Sequence, residues 1–390
     1  MREWKSYAVV IIALIIAYSV MSADNADTPQ YEIPSISGNI YEEKLPEPGA
    51  GESYYTGLPQ YQKALYKLLE EGIARGETKI GLVGVHLESF KNAIYDASLA
   101  IQYDHPEYFW YRGGYSYTTY RTGESGVVDI EFRPTYYQYH TQFFDVDTKQ
   151  TELENEVERV AGLALMYSDD PYEQLVYVHD YLIKNAYYDH TSLEEYYKTS
   201  HSPSCEYIFS AYGCLVNGRT VCSGYAKAFQ LITGRLGFEC VYVTGDAGGA
   251  HGWNCIYIDG EGYYVDVTWD DHDLGGEPPF YNYAFIDSEA LNKTHTVDMV
   301  FEEPVCTAEE YNYFIRRGYY LEEYDFAKVA EIYEQQKDSG VVHVKFGSAE
   351  ELDKAYNALA LNSEFRNIEG IKKFSRYSVN EKHYTLTFIK

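Results

Sequence analysis

Residues 217–240 read NGRTVCSGYAKAFQLITGRLGFEC, and this stretch predicts a helix that begins at a cysteine. An Asn-Gly turn precedes the helix, Thr220 and Ser223 are residue types that cap helices, and Gly237 suits the left-handed residue that ends one. The apolar face of the helix consists of Ala226, Phe229, Ile232 and Leu236.

The cysteine at the start of this helix, Cys222, is the candidate nucleophile. Unpaired backbone N–H groups at a helix N-terminus favour a thiolate, so the pKa of its thiol should fall below the usual value of about 8.5. The same N–H groups can stabilise an oxyanion. Gly224 is expected to leave room near the sulfur for a substrate backbone.

A second stretch, residues 251–271, reads HGWNCIYIDGEGYYVDVTWDD and predicts a hairpin that turns at Asp-Gly. With that turn Ile258 faces Glu261, and the same register pairs His251 with Thr268. Asp266 then lies diagonally across from the imidazole at a backbone distance of about 7 to 8 Å, within reach of side-chain contact.

Amide chemistry assigns a role to each of these three side chains. Cys222 attacks the carbonyl, His251 takes and returns the proton, and Asp266 orients the imidazole and stabilises its charged form. Trp253 lies on the same strand face as the histidine, where it either shields the ion pair from water or serves as a core residue. Tyr188 and Asn185 are alternative donors of a second oxyanion hydrogen bond.

These residues resemble the transglutaminase-like superfamily of papain-like thiol enzymes, in its microbial extracellular branch. The matching strings are VCSGYAKAF, HGWNCIYIDG and YYVDVTW, and the upstream string VHDYLIKNAYYD at residues 178–189 also matches. The resemblance covers about residues 150–290. It implies an α+β fold with a papain-like core, in which the helix that bears the cysteine packs on an antiparallel sheet that bears His and Asp. The two ends of the chain resemble α/β accessory regions.

Two departures from the family stand out. Gly252 occupies a position where a larger residue is common, a change expected to affect strand packing. The calcium sites of animal transglutaminases have no counterpart, because Asp270, Asp271 and Asp273 fit no EF-hand spacing and are expected to form a solvated acidic turn. We therefore expect no metal and no other cofactor.

The rest of the chain divides by composition and periodicity. The predicted parts are a signal peptide or N-terminal anchor (1–22), a linker (23–55), an N-terminal accessory region (56–150), the catalytic domain (151–300), a connecting helical region (301–338) and a β-α-β unit (339–390). Helices are expected at 61–72, 89–103, 151–166 and 171–185, and strands at 127–132, 341–346 and 384–389. Residues 104–120 are rich in aromatics and form either a lid or a packed cluster.

Charge and cysteine usage narrow the partners and the compartment. The 390 residues carry a net charge of -29, which argues against nucleic acid and anionic membranes as partners. Cleavage of the signal would give a secreted or cell-wall protein, and an uncleaved signal would hold the protein at the extracellular face of the membrane. If Gly245 pairs with Ala250, Cys240 faces Cys255, which would permit a disulfide.

The sequence thus predicts an enzyme that acts on a protein or peptide amide, with cell-wall peptide among the substrates, through a thioester. Peptide hydrolysis, deamidation and transamidation all remain open, because the triad residues are the same for each. The alternative is a non-catalytic module of the cell envelope whose many tyrosines bind glycan or peptide.

Overall fold

The computed structural model describes residues 53–121, 126–137, 146–199, 203–271, 279–368 and 374–389. The predicted signal, nearly all of the linker and Asp273 lie outside these residues. Within the described ranges no helix is long and apolar enough to cross a membrane. Helices alternate with largely antiparallel sheets, so the predicted α+β class is confirmed.

The N-terminal part is a three-stranded antiparallel sheet with helices against it. Its elements are α1 (Ser53–Gly57), α2 (Gln60–Ala74), β1 (Ile80–His86), α3 (Leu87–Asp104), β2 (Tyr111–Arg121) and β3 (Val127–Tyr136), with strand order β1-β3-β2. Phe109, Trp110 and Tyr111 are buried, and the Trp110 indole donates to the Ile73 carbonyl. The aromatic stretch is therefore a packed cluster followed by a strand.

A run of helices leads to the cysteine. Its elements are α4 (Val146–Tyr167), α5 (Pro171–Asn185), β4 (Tyr187–Tyr188), α6 (His190–Lys198), a 3-10 helix (Pro203–Phe209), α7 (Ala211–Leu215), β5 (Arg219–Thr220) and α8 (Cys222–Arg235). Helix α5 has the predicted bounds, because Asp170 accepts a hydrogen bond from the Tyr172 N–H and Pro171 occupies the first turn.

The central sheet carries the histidine. Its elements are β6 (Cys240–Asp246), β7 (Ala250–Ile258), β8 (Glu261–Val265), α9 (Val267–Asp270), β9 (Ala284–Ile286), α10 (Ser288–Leu291) and β10 (Thr296–Val297), with strand order β10-β6-β7-β8-β9. The predicted Ile258–Glu261 pairing is confirmed. The predicted pairing of His251 with Thr268 is wrong, because β8 ends at Val265 and Asp266 caps helix α9.

Helix α8 packs on β7, where the Asn254 amide donates to the Ala226 carbonyl. Contacts from the N-terminal helices reach β6 and α8: Tyr54 donates to the Tyr242 carbonyl, and Gln230 donates to the Tyr103 carbonyl. One buried apolar cluster runs from Tyr54 to Phe314. The central sheet is thus held on a single core shared with the N-terminal part.

The C-terminal part has its own buried cluster, between Leu321 and Phe388. Its elements are α11 (Tyr313–Arg317), β11 (Tyr320–Leu321), α12 (Phe326–Gln336), β12 (Val341–Phe346), α13 (Ala349–Ala355), β13 (Arg376–Asn380) and β14 (Thr385–Ile389), with strand order β11-β12-β14-β13. Ser348 caps α13 by accepting from the Glu351 N–H. The reciprocal half of a capping box is not formed, because the Glu351 carboxylate accepts from the Tyr324 N–H.

Candidate active site

The sulfur of Cys222 lies at the first residue of α8 and is half-buried. The predicted capping by Thr220 and Ser223 is wrong: their hydroxyls donate to the Ile208 and Phe209 carbonyls of the preceding segment. In the part of the chain that the structure describes, the N–H groups of Cys222 and Ser223 have no acceptor. Both are therefore available to a developing oxyanion.

The structure brings Cys222, His251 and Asp266 together in that order. The histidine Nε2 donates to Asp266 Oδ2 at 2.7 Å, and the charge of the same ring acts on the Cys222 thiol. Because Nε2 is committed to the carboxylate, Nδ1 is the nitrogen left to exchange a proton with the thiol. The Gly252 N–H also favours the thiolate. The three groups are thus arranged for proton transfer between thiol and imidazole.

The charges of Cys222, His251 and Asp266 shift one another's pKa values. Burial alone would raise the pKa of Cys222, but the charge and hydrogen bond of His251 and the Gly252 N–H lower it below its ordinary value. Burial would lower the pKa of His251, but the Asp266 and Cys222 charges raise it well above the usual value. The favoured resting state is a thiolate beside an imidazolium.

His295 is a fourth member of the site that the sequence did not reveal. Its Nε2 donates to the same Asp266 Oδ2 at 3.0 Å, and its Nδ1 contacts the Thr294 hydroxyl at 2.8 Å. The other oxygen of Asp266 accepts from the Thr268 and Trp269 N–H groups. No short-range pattern marks His295, which precedes the edge strand β10 and reaches the site only through the sheet order β10-β6-β7.

Both oxygens of the Asp266 carboxylate therefore accept two hydrogen bonds each. Four donors occupy its two oxygens, and although burial would raise its pKa, the charge of His251 and the hydrogen bonds of His251 and His295 hold the pKa well below the usual range. Among the described residues, His251, Asp266 and His295 also form the one cluster with metal-ligand spacing, within 4.8 Å. A metal there would have to displace both imidazoles from the carboxylate, so we derive no metal-dependent step.

Aromatic rings cover the imidazole. Trp253 is 1% exposed and stacks on His251 at 5.8 Å, and Trp269 meets the same ring edge-on at 6.2 Å. The two interpretations of Trp253 therefore coexist, because one buried ring both fills the core and keeps water from the His–Asp hydrogen bond.

The surroundings of Gly224 and of the acidic turn after Asp266 differ from what the sequence predicts. A side chain at Gly224 would meet the carbonyl oxygens of Ile208 and Ser210 at 2.8 Å, so the space there is filled by protein and is not open to substrate. The expected solvated acidic turn is wrong for Asp270, which is buried and contacts His179 Nε2 at 3.2 Å. Asp271 accepts from the Tyr225 hydroxyl.

The two candidates for a second oxyanion donor lie on the short strand pair β4 and β5 or next to it. Asn185 is exposed, its amide donates to the Tyr181 carbonyl, and it lines a surface pocket of about 240 Å³ formed with residues 214–218. Tyr188 pairs with Thr220, and its ring packs on His190 at 4.6 Å. The structure gives Asn185 no contact with the sulfur or the imidazole.

All six cysteines are free. The register pairs Gly245 with His251, so Val241 and not Cys240 faces Cys255, and the expected cross-strand disulfide is wrong. The one-residue shift places the two cysteine side chains on opposite faces of the sheet. Cys255 instead lies 3.5 Å from Cys306, sulfur to sulfur, in the core.

Residues 164–267 match the family model of the Transglutaminase-like superfamily. This range contains Cys222, His251 and Asp266, so the resemblance is confirmed, and this part of the chain has the fold of a cysteine-enzyme superfamily. A search of curated proteins returns no match.

Two solved structures share a more distant likeness. A structure described as "Crystal structure of a TGase" is 14% identical with a TM-score of 0.30, and the match covers 49% of this chain and 50% of that one. A "putative protease" from Parabacteroides distasonis is 9% identical with a TM-score of 0.22, over 42% of each chain. The chain thus spans about half the length of these structures.

Proposed function

We propose that the protein is a cysteine enzyme that cleaves or transfers an amide through a thioester. The nucleophile is Cys222, the general base and acid is His251, and Asp266 holds the imidazole. Export through the hydrophobic N-terminal segment would place this activity outside the cytoplasm, where protein or peptide amides, including those of cell-wall peptide, are the substrates.

The observation that carries the proposal is the His251–Asp266 hydrogen bond of 2.7 Å together with the interaction of the same imidazole with Cys222, which lowers the pKa of the thiol. A scaffold that only binds would have no need of a thiolate stabilised by His251 and by the Gly252 N–H. The non-catalytic binding module is for that reason the weaker alternative.

The first half-reaction follows from the resting ion pair. The thiolate attacks the carbonyl carbon, and the resulting oxyanion accepts hydrogen bonds from the backbone N–H groups of Cys222 and Ser223. His251 then gives its proton to the departing nitrogen, so the C–N bond breaks and an amine or ammonia leaves. The product on the enzyme is a thioester.

In the second half-reaction the neutral His251 removes a proton from the incoming nucleophile, which bonds to the acyl carbon. The C–S bond then breaks, and Cys222 leaves as the thiolate beside the protonated imidazole. Water gives hydrolysis of a peptide or deamidation of a glutamine, and an amine gives transamidation. We favour water, because it is always present at high concentration and the sequence contains no recognisable site for an acceptor lysine.

The test combines labelling with product analysis. Iodoacetamide should alkylate Cys222 faster than the other cysteines near neutral pH, as read by peptide mass spectrometry, and Cys222→Ala should abolish ammonia release or peptide cleavage. Cys205→Ala is the matched control, because it removes a buried thiol that belongs to no hydrogen-bonded row with an imidazole. Slow and uniform labelling of all six cysteines would instead favour the binding module.

A further inference from the structure

Lys227 is a buried cation that pairs with no carboxylate among the described residues. It lies on α8, one and a half turns after the nucleophile, and is 8% exposed. Within the described residues its ammonium has neither a hydrogen bond nor an ion pair, although acidic residues outnumber basic ones by 60 to 31. Burying an ammonium costs several kcal/mol unless a partner offsets it, so a missing partner requires an explanation.

The nearest protein group does not supply that partner. The Lys227 ammonium lies 5.7 Å from the centre of the Tyr242 ring, a cation–π contact worth about 0.5 to 2 kcal/mol. Burial lowers the pKa of this lysine to about 8, with an opposing contribution from Cys222, so the group is still mainly charged at neutral pH. The charge thus persists without a bonded anion.

The hydroxyl of Tyr242 is the second unpaired group. Tyr242 is 7% exposed, and no described residue forms a hydrogen bond with its hydroxyl. A Cβ atom at Gly252 would lie 2.8 Å from Cζ of this ring, and the Gly252 N–H is one of the groups that lower the pKa of the Cys222 thiol. The hydroxyl end of Tyr242 therefore lies beside the nucleophile.

Two donors without a hydrogen-bond partner among the described residues, one of them cationic, thus lie close to each other near the sulfur. Both are more than nine-tenths buried, and both interact electrostatically with Cys222. A buried donor without a partner costs free energy, so an acceptor brought by the substrate is stabilised there more than it would be in water. A carboxylate satisfies both donors at once, because it offers two acceptor oxygens and a negative charge.

We propose that Lys227 and Tyr242 form an anion-binding subsite beside Cys222 that selects acyl donors with a carboxylate close to the reacting carbonyl. The proposal rests on the proposed function only in taking Cys222 as the nucleophile. It narrows the substrate class from amides in general to anionic acyl donors. Such a site adds a second positive charge, besides the His251 imidazolium, near the sulfur of a protein whose net charge is -29.

Two alkylating reagents of nearly equal size test this directly. Iodoacetate carries a carboxylate one bond from the carbon that sulfur attacks, and iodoacetamide carries a neutral amide there. With each, the thiolate forms an S–C bond and iodide leaves. The ratio of the two rate constants at Cys222 cancels any change in the thiolate fraction, because both reagents consume the same thiolate. The small neutral thiol 2-mercaptoethanol gives the reference ratio.

The wild-type iodoacetate-to-iodoacetamide ratio should exceed the reference by about tenfold or more, as expected for a charge pair a few ångströms apart in a partly buried site. Lys227→Met should remove most of the excess and leave the part that the His251 imidazolium contributes, and Lys227→Arg should keep most of the excess. Tyr242→Phe should remove a smaller part. Lys67→Met and Tyr103→Phe are matched controls that should change nothing, because Lys67 lies over Tyr55 and the Tyr103 hydroxyl bonds Thr244.

A wild-type ratio at the reference value, or an excess that is undiminished in Lys227→Met, would overturn the subsite. Failure of the proposed function would give a different result. Both reagents would then alkylate Cys222 slowly, and the ratio of their rate constants could still be measured. Methionine fills the lysine's volume without its buried charge, so the variant should fold. Its melting temperature and the labelling of Cys222 by iodoacetamide check that it does.

Discussion

At the scale of single residues, the reactivity of Cys222 depends on the charge of one imidazole. Because His251 lowers the pKa of the thiol, iodoacetamide should alkylate Cys222 rapidly even at pH 6, where an ordinary thiol is only about 0.3% ionised. His251→Asn keeps a polar side chain and removes the positive charge. In that variant the midpoint of the rate against pH should move up towards about 8.5.

The measurement is the alkylation rate of Cys222 between pH 5 and pH 10 in the two proteins. Thr294→Ala serves as control, because it alters the neighbourhood of Asp266 and leaves His251 charged. A shared midpoint near 8.5 in wild type and His251→Asn would show that no thiolate–imidazolium pair exists.

His295 should act as a positioning residue for Asp266, because its Nε2 donates to the oxygen that His251 uses. His295→Gln can still donate from a similar place, whereas His295→Leu leaves one lone pair of a buried carboxylate empty. We expect about a tenfold loss of kcat/KM in the leucine variant and a smaller loss in the glutamine variant.

The two variants separate positioning from simple packing. If His295 only fills space, leucine should be tolerated at least as well as glutamine, and the pH dependence of kcat/KM should be unchanged. If it holds the carboxylate, the limb of the profile that reports His251 should shift to lower pH in His295→Leu, because a less fixed Asp266 supports the imidazolium less well.

At the scale of secondary-structure elements, the ring of Tyr242 on β6 fills the space that Gly252 leaves on β7, where the resembling family commonly has a larger residue. Gly252 has no side chain where the Tyr242 ring lies, and an added Cβ would come within 2.8 Å of Cζ. Gly252→Ala should therefore destabilise the protein by about 1 to 3 kcal/mol. Tyr242→Phe should reduce that penalty, because the hydroxyl oxygen is the atom nearest to the added methyl group.

A double-mutant cycle in denaturant measures this coupling. The interaction free energy of Gly252→Ala with Tyr242→Phe should be favourable and greater than about 0.5 kcal/mol. The pair Gly249→Ala with Tyr242→Phe is the control, because nothing lies within 4 Å of a Cβ at Gly249. Equal and additive effects in both cycles would mean that the strand adjusts without loss.

The elements of the site could be predicted because their signals are local. The helix at Cys222 and the turn that pairs Ile258 with Glu261 follow from spacings of a few residues. The early end of β8 could not be predicted, because it depends on Asp266 accepting the Thr268 and Trp269 N–H groups. His295 and Tyr242 could not be assigned to the site, because they depend on the position of β10 at the edge of β6 and on the exact register of β6 with β7.

At the scale of the whole molecule, the unusual composition has a structural use. The chain has 44 tyrosines and an excess of carboxylates. Several buried or half-buried tyrosines donate to acidic side chains: Tyr66 to Asp104, Tyr108 to Glu70, Tyr225 to Asp271 and Tyr281 to Asp180. Because few lysines and arginines are available, phenol hydroxyls serve as hydrogen-bond donors to the carboxylates. This supports a structural explanation of the tyrosine content over the alternative that the tyrosines bind glycan.

A buried ion pair links distant parts of this molecule. His179 on α5 is fully buried between Asp180 and Asp270, and Asp270 also accepts from the Tyr283 N–H beyond helix α9. Burial alone would lower the pKa of His179, but the hydrogen bonds and charges of the two aspartates raise it to about 9. The helices that precede the nucleophile and the loop that follows Asp266 are thereby joined.

This pair should make stability depend on alkaline pH. The folded pKa of about 9 lies above the unfolded value of about 6.5, so the stabilisation is complete below pH 6.5 and disappears as pH rises through 9. His179→Gln should therefore cost more free energy of unfolding at pH 6 than at pH 9.5, by an amount on the order of 2 kcal/mol. The comparison is made by urea denaturation at the two pH values.

Comparing each variant with wild type at the same pH removes the contributions of other groups that titrate in this range, such as Lys227 and Lys345, whose pKa values are lowered by burial to about 8. His343→Gln is the control: burial lowers the pKa of His343 to about 3, so it is neutral throughout and its cost should not change between pH 6 and pH 9.5. An equal cost of His179→Gln at both pH values would mean that His179 is also neutral when folded, and that the link between α5 and Asp270 is a hydrogen bond without charge.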